Sequence, residues 1–184
     1  MATAPAFRAA AIVVLAAGLV AASAGLAPAP ARAAEATGTE APKAGRGDRV
    51  EGRASVVDGD TLEIHGARIR LHGIDAPESR QSCTRAEGEW RCGTEAARAL
   101  DALVADRPVS CEVRDVDRYR RLVATCRQGA TDLNAAMVRA GMAMAYRRYS
   151  RDYVAAEDAA RAEGKGIWAG PFTPPWDWRR GKGR

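Results

Sequence analysis

The sequence is poor in the residues that build most transition-metal and covalent-catalytic centres. Of 184 residues, two are histidine and four are cysteine, and aromatic residues make up 5%. No two cysteines have C-x-x-C spacing, and His65 and His72 have no cysteine beside them. Zinc, which takes nitrogen and sulfur ligands, is therefore disfavoured. No internal repeat is visible, and no long, strongly apolar run occurs. The stretch "AAAIVVLAAGLVAASAGLA" is uncharged but mostly alanine and glycine, whereas a membrane span needs about 20 predominantly apolar residues. With Arg8 before it and "APARAAEA" after it, the stretch has the plan of a secretion signal, with cleavage expected after Ala33. An uncleaved anchor is the competing reading. Residues 34–48 lack aromatic residues and any aliphatic period, too little apolar surface to offset ordering entropy, so a flexible lead-in is expected there. The folded domain is expected over residues 49–170, with 171–184 a Pro/Trp/Arg-rich tail.

An even number of cysteines behind an export signal favours disulfides and an oxidising destination, secreted or periplasmic. Cys111 and Cys126 lie in "PVSCEVR" and "RLVATCR", two β-patterned runs joined by a turn. A turn centred near Arg118–Tyr119 places them opposite each other, leaving Cys83 and Cys92 to close a local loop. The formal charge of +5 suits a polyanionic partner without requiring one.

Apolar alternation predicts strands near 49–57, 60–65, 68–73, 108–114 and 121–127. Helical spacing marks "GTEAARALDALVAD", "DLNAAMVRAGM" with Asp132 near its start and Gly141 at its stop, and "RDYVAAEDAARAEG" ended by Gly164. Five strands with a helix after the third indicate a mainly β, α+β fold: a five-stranded OB-like barrel with about three packed helices.

The hairpin "DGDTLEIHGARIRLHGIDAPE" carries the chemistry. Its alternating Leu62, Ile64, Ile69 and Leu71 read as core, while Asp58, Asp60, Asp75 and Glu78 crowd its open end. Carboxylates so placed repel one another unless a positive group lies among them. With the turn at Gly66–Ala67, Asp60 faces Gly73 and Asp58 faces Asp75, making Asp60 and Asp75 diagonal neighbours. A hard divalent cation with oxygen ligands, calcium or magnesium, fits such a place. Strict alternation sends Arg70 to the opposite face, so a shared site requires a break, and Gly73 is where one can sit. The competing readings are a polar turn around Gly59 and a strand exit at Pro77.

These residues, "DGDT", then "RLHGIDAPE", then "DRYRR", with "DLNAAMVRAGMAMAY" and "AEGKGIW" beyond, resemble the staphylococcal nuclease-like thermonucleases from about Arg53 to Trp168. The resemblance implies an OB-like barrel acting as a calcium-dependent phosphodiesterase on DNA and RNA, leaving 3′-phosphate ends. It likens Asp60 and Asp75 to the calcium carboxylates, with the Ala76 backbone carbonyl beside them and Asp58 holding a water on the ion. Arg70 and Arg121 correspond to the pair gripping the scissile phosphate, and Glu78 to the general base. Tyr119 resembles the tyrosine packing on the nucleotide, with Arg118 and Tyr146 as phosphate-side neighbours.

The chain departs from the family pattern at three places. Ala76 replaces a threonine of which the family uses only the backbone oxygen. Arg120 replaces a glycine, and "SRQSCTRAEGEWRCG" replaces a flexible loop. His65 and His72 read as surface or groove residues. In the tail, "PPWDWRR" has the aromatic and arginine mix that can stack bases and touch phosphates, but its tryptophans are expected to cap the barrel. The sequence thus points to a monomeric, exported, disulfide-stapled, Ca2+-dependent nuclease without stable membrane association. The rival readings are an inactive OB-like barrel binding nucleic acid or a protein partner, and an envelope protein whose basic surface meets a polysaccharide or membrane.

Overall fold

The structure, a computed structural model, describes residues 43–181, so the expected secretion signal lies outside the described residues. Residues 45–48 are turned and tied to the sheet: Gly47 N donates to the Val113 carbonyl at 2.8 Å, and Val113 N to that of Asp48 at 2.9 Å. The strands that follow are β1 (Arg49–Arg53), β2 (Ser55–Asp58), β3 (Thr61–Ile64), β4 (Ala67–Leu71) and the short β5 (Ile74–Asp75). A small hairpin, β6 (Cys83–Arg85) and β7 (Gly88–Trp90), leads into helix α1 (Cys92–Val104). Then come β8 (Pro108–Val116), β9 (Leu122–Gln128), β10 (Thr131–Asp132), α2 (Leu133–Arg139), β11 (Met144–Ala145) and α3 (Val154–Ala162). A 3-10 turn, Gly166–Ala169, and a one-turn helix α4 (Pro175–Trp178) close the described chain.

The main sheet runs β1-β8-β9-β4-β3-β2, with β10 added on β9. All five expected strands are present. The first is split at Ala54 into β1 and β2, which pair with β8 and β3 respectively. The sheet curls into the OB-like half-barrel of an α+β fold, with the helices packed upon it.

Alternation fills the interior. Leu62, Ile64, Ile69 and Leu71 are at most 1% exposed, and they pack with Leu100 and Val104 of α1 and Leu133, Met137 and Val138 of α2. Burying each such side chain contributes about 1.5–3 kcal/mol. The helices end as glycine dictates: Gly141 takes φ 68° and Gly164 φ 62°, the left-handed stop that spares a Cβ clash. Asp132 caps α2 by accepting from Ala135 N at 2.9 Å. Both expected disulfides form, Cys83–Cys92 and Cys111–Cys126, the second joining residues directly opposite on β8 and β9.

The register of the central hairpin differs from the expectation. Its turn is His65–Gly66, so Thr61 faces Arg70 and Leu62 faces Ile69. The reason is conformational. A two-residue hairpin of type I′ needs positive φ at both turn positions, which His65 (51°) and Gly66 (78°) supply. Asp60 consequently lies beside Leu71, whose N–H donates to its carbonyl at 2.8 Å, rather than opposite Gly73.

The break at the far end of β4 is present. Gly73 takes φ 72°, separating β4 from β5. It is pinned from both sides. The buried Asn134 accepts from Cys126 N at 3.1 Å and donates to the His72 carbonyl at 2.9 Å, while Tyr146 N donates to the Gly73 carbonyl at 2.8 Å.

Gly73→Ala is expected to destabilise by more than the about 1–2 kcal/mol of a left-handed Cβ, because the added carbon would lie 2.9 Å from Ser150 Cβ and 3.1 Å from Tyr153 Cε2. Gly129→Ala, at φ 58° with open space around it, should cost the conformational part alone. Urea unfolding of the two variants measures the difference.

Candidate active site

The bend at Gly73 turns Asp75 toward the side of Arg70. Arg70 leaves β4 and divides its fork: Nη1 donates to Asp60 Oδ1 and Nη2 to Asp75 Oδ1, each at 2.7 Å. Asp60 also accepts at Oδ2 from Ala76 N at 3.0 Å and at Oδ1 from Thr61 Oγ1 at 3.2 Å. Asp58 accepts from Asp60 N at 3.0 Å, so the polar turn around Gly59 exists and serves to aim Asp60. Asp75 is fully buried. Its strand is held in place by β11, where Met144 faces Asp75. The buried Glu157 fixes β11 in turn, accepting from Ala145 N at 2.9 Å and from Arg147.

Burial dominates the ionisation of Asp60, lifting its carboxyl to about 7 against the pull of Arg70 and the Ala76 N–H, with Asp58 and Asp75 adding repulsion. The Arg70 guanidinium does not offset the desolvation of the Asp60 carboxylate.

Glu78 is set by backbone packing. A Cβ on Gly93, in the first turn of α1, would lie 1.8 Å from the Glu78 carbonyl oxygen, so only glycine permits the helix to abut this loop. Gln81, fully buried, fastens it further: its Oε1 accepts from Glu78 N at 3.2 Å, and its Nε2 donates to the Thr173 carbonyl at 2.6 Å. That last bond ties the acid loop to the C-terminal tail.

The tail returns a second arginine. Arg179 Nη1 donates to Glu78 Oε1 at 2.6 Å and Asp75 Oδ1 at 3.1 Å, and Nη2 to Asp75 Oδ2 at 2.8 Å. Trp176 stacks on Tyr146, centroids 5.6 Å apart with planes 8° from parallel. The tail is thus joined to the rest of the domain at Trp176, and it also enters the site through Arg179. Neither Arg179 nor Gln81 was marked by the sequence reading. The "WRR" of the tail was the available signal for Arg179, but no periodicity tells which arginine folds back.

The other anticipated residues group elsewhere. Asp117 organises the turn between β8 and β9, its carboxylate accepting from Tyr119 N, Arg121 N and Arg121 Nε at 2.8–2.9 Å. Burial raises the Asp117 carboxyl, but these donors prevail and hold it below the ordinary range. Arg121 and Arg118 lie over the exposed ring of Tyr119, 5.6 and 4.8 Å from its centroid. Arg121 precedes β9 by one residue and lies two positions before Val123, the neighbour of Arg70 on the parallel β4–β9 pair. Among the described residues no hydrogen bond or ion pair joins it to Asp60 or Asp75. Arg120 keeps the glycine-type backbone, φ 64°. His65 bonds the Glu51 carbonyl at 3.2 Å, and burial lowers the His72 imidazole. Neither histidine touches the acid cluster.

Gln81→Ala should lower stability by about 1–3 kcal/mol, the cost of orphaning buried hydrogen-bonding groups, and should speed tryptic cleavage of the tail. Arg120→Gly should gain up to about 1 kcal/mol, since relief of about 1–2 kcal/mol of left-handed strain outweighs the about 0.5–1 kcal/mol entropy cost of glycine. Chemical unfolding reads both.

With this geometry described, comparison with known proteins identifies the lineage. The chain is 41% identical over 99 residues to the succinoglycan biosynthesis protein ExoI of Rhizobium meliloti (strain 1021), covering 52% of each chain. It is 36% identical over 111 residues to an uncharacterized endonuclease of Haemophilus influenzae, covering 58% of this chain and 57% of that one. To a micrococcal nuclease of Shigella flexneri it is 34% identical over 121 residues, 58% of this chain and 64% of the other. The matches therefore span about half to two thirds of these relatives. Residues 68–170, which include Arg70, Asp75, Glu78 and Arg121, match the family model described as staphylococcal nuclease homologue, and the chain belongs to that family.

Proposed function

We propose that the protein is an exported, Ca2+-dependent nuclease that hydrolyses phosphodiester bonds of DNA and RNA with little sequence preference. The observation that carries this reading is the junction at Arg70, where one guanidinium holds together two buried carboxylates with Glu78 close by. Family membership and the relatives named endonuclease and nuclease support the reaction class.

The donor set suits a hard divalent cation. Asp60 and Asp75 present oxygen only; three carboxylates, Asp60, Asp75 and Glu78, share two guanidiniums, and Asp58 stands beside Asp60, accepting from its backbone N–H. Among the described residues no three His, Cys, Asp or Glu side chains form a ready-made metal cluster. Asp60 and Asp75 would therefore be completed by the Ala76 carbonyl and by water, some of it held by Asp58, as calcium accepts. A bound divalent ion would supply Lewis-acid neutralisation of the phosphoryl oxygens.

The chain's own groups supply the rest. Arg70 and Arg121 offer planar, permanently protonated donors that match two phosphate oxygens. Arg70 is pre-aimed by Asp60 and Asp75, and Arg121 by Asp117. Glu78, its carboxylate partly exposed, takes the proton of the attacking water. Tyr119, exposed on its turn beneath Arg118 and Arg121, offers a ring face to a base, and Tyr146 lines the tail side of the site. Export is supported by the pattern of residues 1–33 and by two disulfides, bonds that persist in oxidising compartments. Among the described residues no helix is long and apolar enough to cross a membrane.

The purified chain incubated with DNA or RNA is expected to cleave either one with calcium and neither with a chelator. Glu78→Gln should reduce the rate by about 10²–10⁴-fold, the usual worth of a positioned base. An inert wild-type chain would favour the inactive, binding-only barrel. A fully active Glu78→Gln variant would remove Glu78 from the mechanism.

A further inference from the structure

Among the described residues, Arg179 is the one cation of the acid cluster that belongs to no strand of the half-barrel, and it lies beyond the family match, which ends at residue 170. Its three hydrogen bonds cover both oxygens of Asp75 and one of Glu78. Those are the two carboxylates on which cation binding and proton removal depend in the nuclease reading.

The contact is built rather than incidental. The tail is fastened at Thr173 by Gln81 and at Trp176 by Tyr146. Between these anchors and Arg179 stands α4, begun by Pro175 and closed by Arg179 N donating to the Pro175 carbonyl at 3.0 Å. Arg180, the next residue, has 62% of its side chain exposed, and among the described residues its guanidinium pairs with Asp177 alone, at 3.8 Å. Two adjacent arginines thus differ sharply: one is aimed into the cluster and the other points away.

We propose that the C-terminal tail is an autoinhibitory strap: Arg179 is an internal counter-cation that holds Asp75 and Glu78, and a divalent ion binds only as this guanidinium withdraws. The inference rests on the reading of the site as a divalent-cation nuclease. The physical reason is competition for one carboxylate. Asp75 is fully buried, both its oxygens are engaged by guanidinium N–H groups, and Arg70 cannot leave because it arises from β4 in the sheet. Arg179 can leave. It arises from the tail, outside the sheet, its side chain is 38% exposed, and the tail residues Phe172, Pro174 and Trp176 line part of a cavity of about 560 Å³ with Tyr146 and Trp168. A doubly charged ion on Asp75 repels a guanidinium on the same carboxylate, and a charge pair in a partly buried site is weakly screened. While Arg179 stays, Glu78 Oε1 is occupied by its N–H.

The test is calorimetric titration of the full chain with calcium, in wild type, Arg179→Gln, Arg179→Lys and Arg180→Gln. Arg179→Gln is expected to tighten calcium binding about tenfold, within the about 5–150-fold typical of coupled sites. Arg179→Lys should fall between, because a point charge replaces the fork. Arg180→Gln removes the same net charge and should leave affinity unchanged. Saturating calcium should also speed trypsin cleavage after Arg179 in the wild-type chain. Equal or weaker binding by Arg179→Gln, or an equal gain in Arg180→Gln, overturns the strap. If calcium-dependent DNA cleavage persists in that case, only this inference falls. No calcium binding by any variant overturns the strap and the calcium reading together.

Discussion

Two buried carboxylates, Asp60 from the turn between β2 and β3 and Asp75 from β5, are held within reach of one another by the guanidinium of Arg70. Remove it, and Asp60 and Asp75 would face each other across a desolvated gap, an arrangement whose repulsion a protein interior does not tolerate. Everything near the site serves that junction. The Gly73 bend brings Asp75 round to the side on which Arg70 lies, Asn134 and Tyr146 pin the bend, and Glu157 fixes the strand beside Asp75. The apolar face of the hairpin supplies the energy, and the polar end spends part of it on keeping unlike elements in register.

The cluster is also graded. Asp75 is wholly buried, Asp60 nearly so, and Glu78 is partly open to solvent. That order suits the roles proposed for them, since ion-holding groups benefit from a weakly screened place, whereas a proton acceptor must meet water. The arginines follow the same gradient. Arg70, on β4, has 19% of its side chain exposed, and Arg179, on the tail, 38%.

Much of this was legible in the chain itself. Leu62, Ile64, Ile69 and Leu71 announce a half-buried hairpin by alternation alone, and the helix stops at Gly141 and Gly164 follow from residue type. The convergence of Asp60, Arg70 and Asp75 was readable as a condition on Gly73, because a break in period two is the only way to bring Arg70 to the side of Asp75. The register was misplaced because His65 was not credited with a left-handed backbone, which histidine adopts less readily than glycine. Gln81 and Arg179 were invisible for a different reason. Their partners stand 92 and 104 positions away, and nothing local to either residue encodes so distant a pairing.

The hydrogen bond from Gln81 to Thr173 has a bearing on descent within the family. Gln81 lies inside the segment that the family model matches, and Thr173 lies outside it. A buried amide satisfied by a tail is an obligation: a chain that loses the tail must also change the residue at that position or leave the amide unpaired. Position 81 therefore records, within the common domain, whether a sequence folds its C-terminus back over its acids. Relatives sorted by the side chain they carry there should divide into those with a returning tail and those without one.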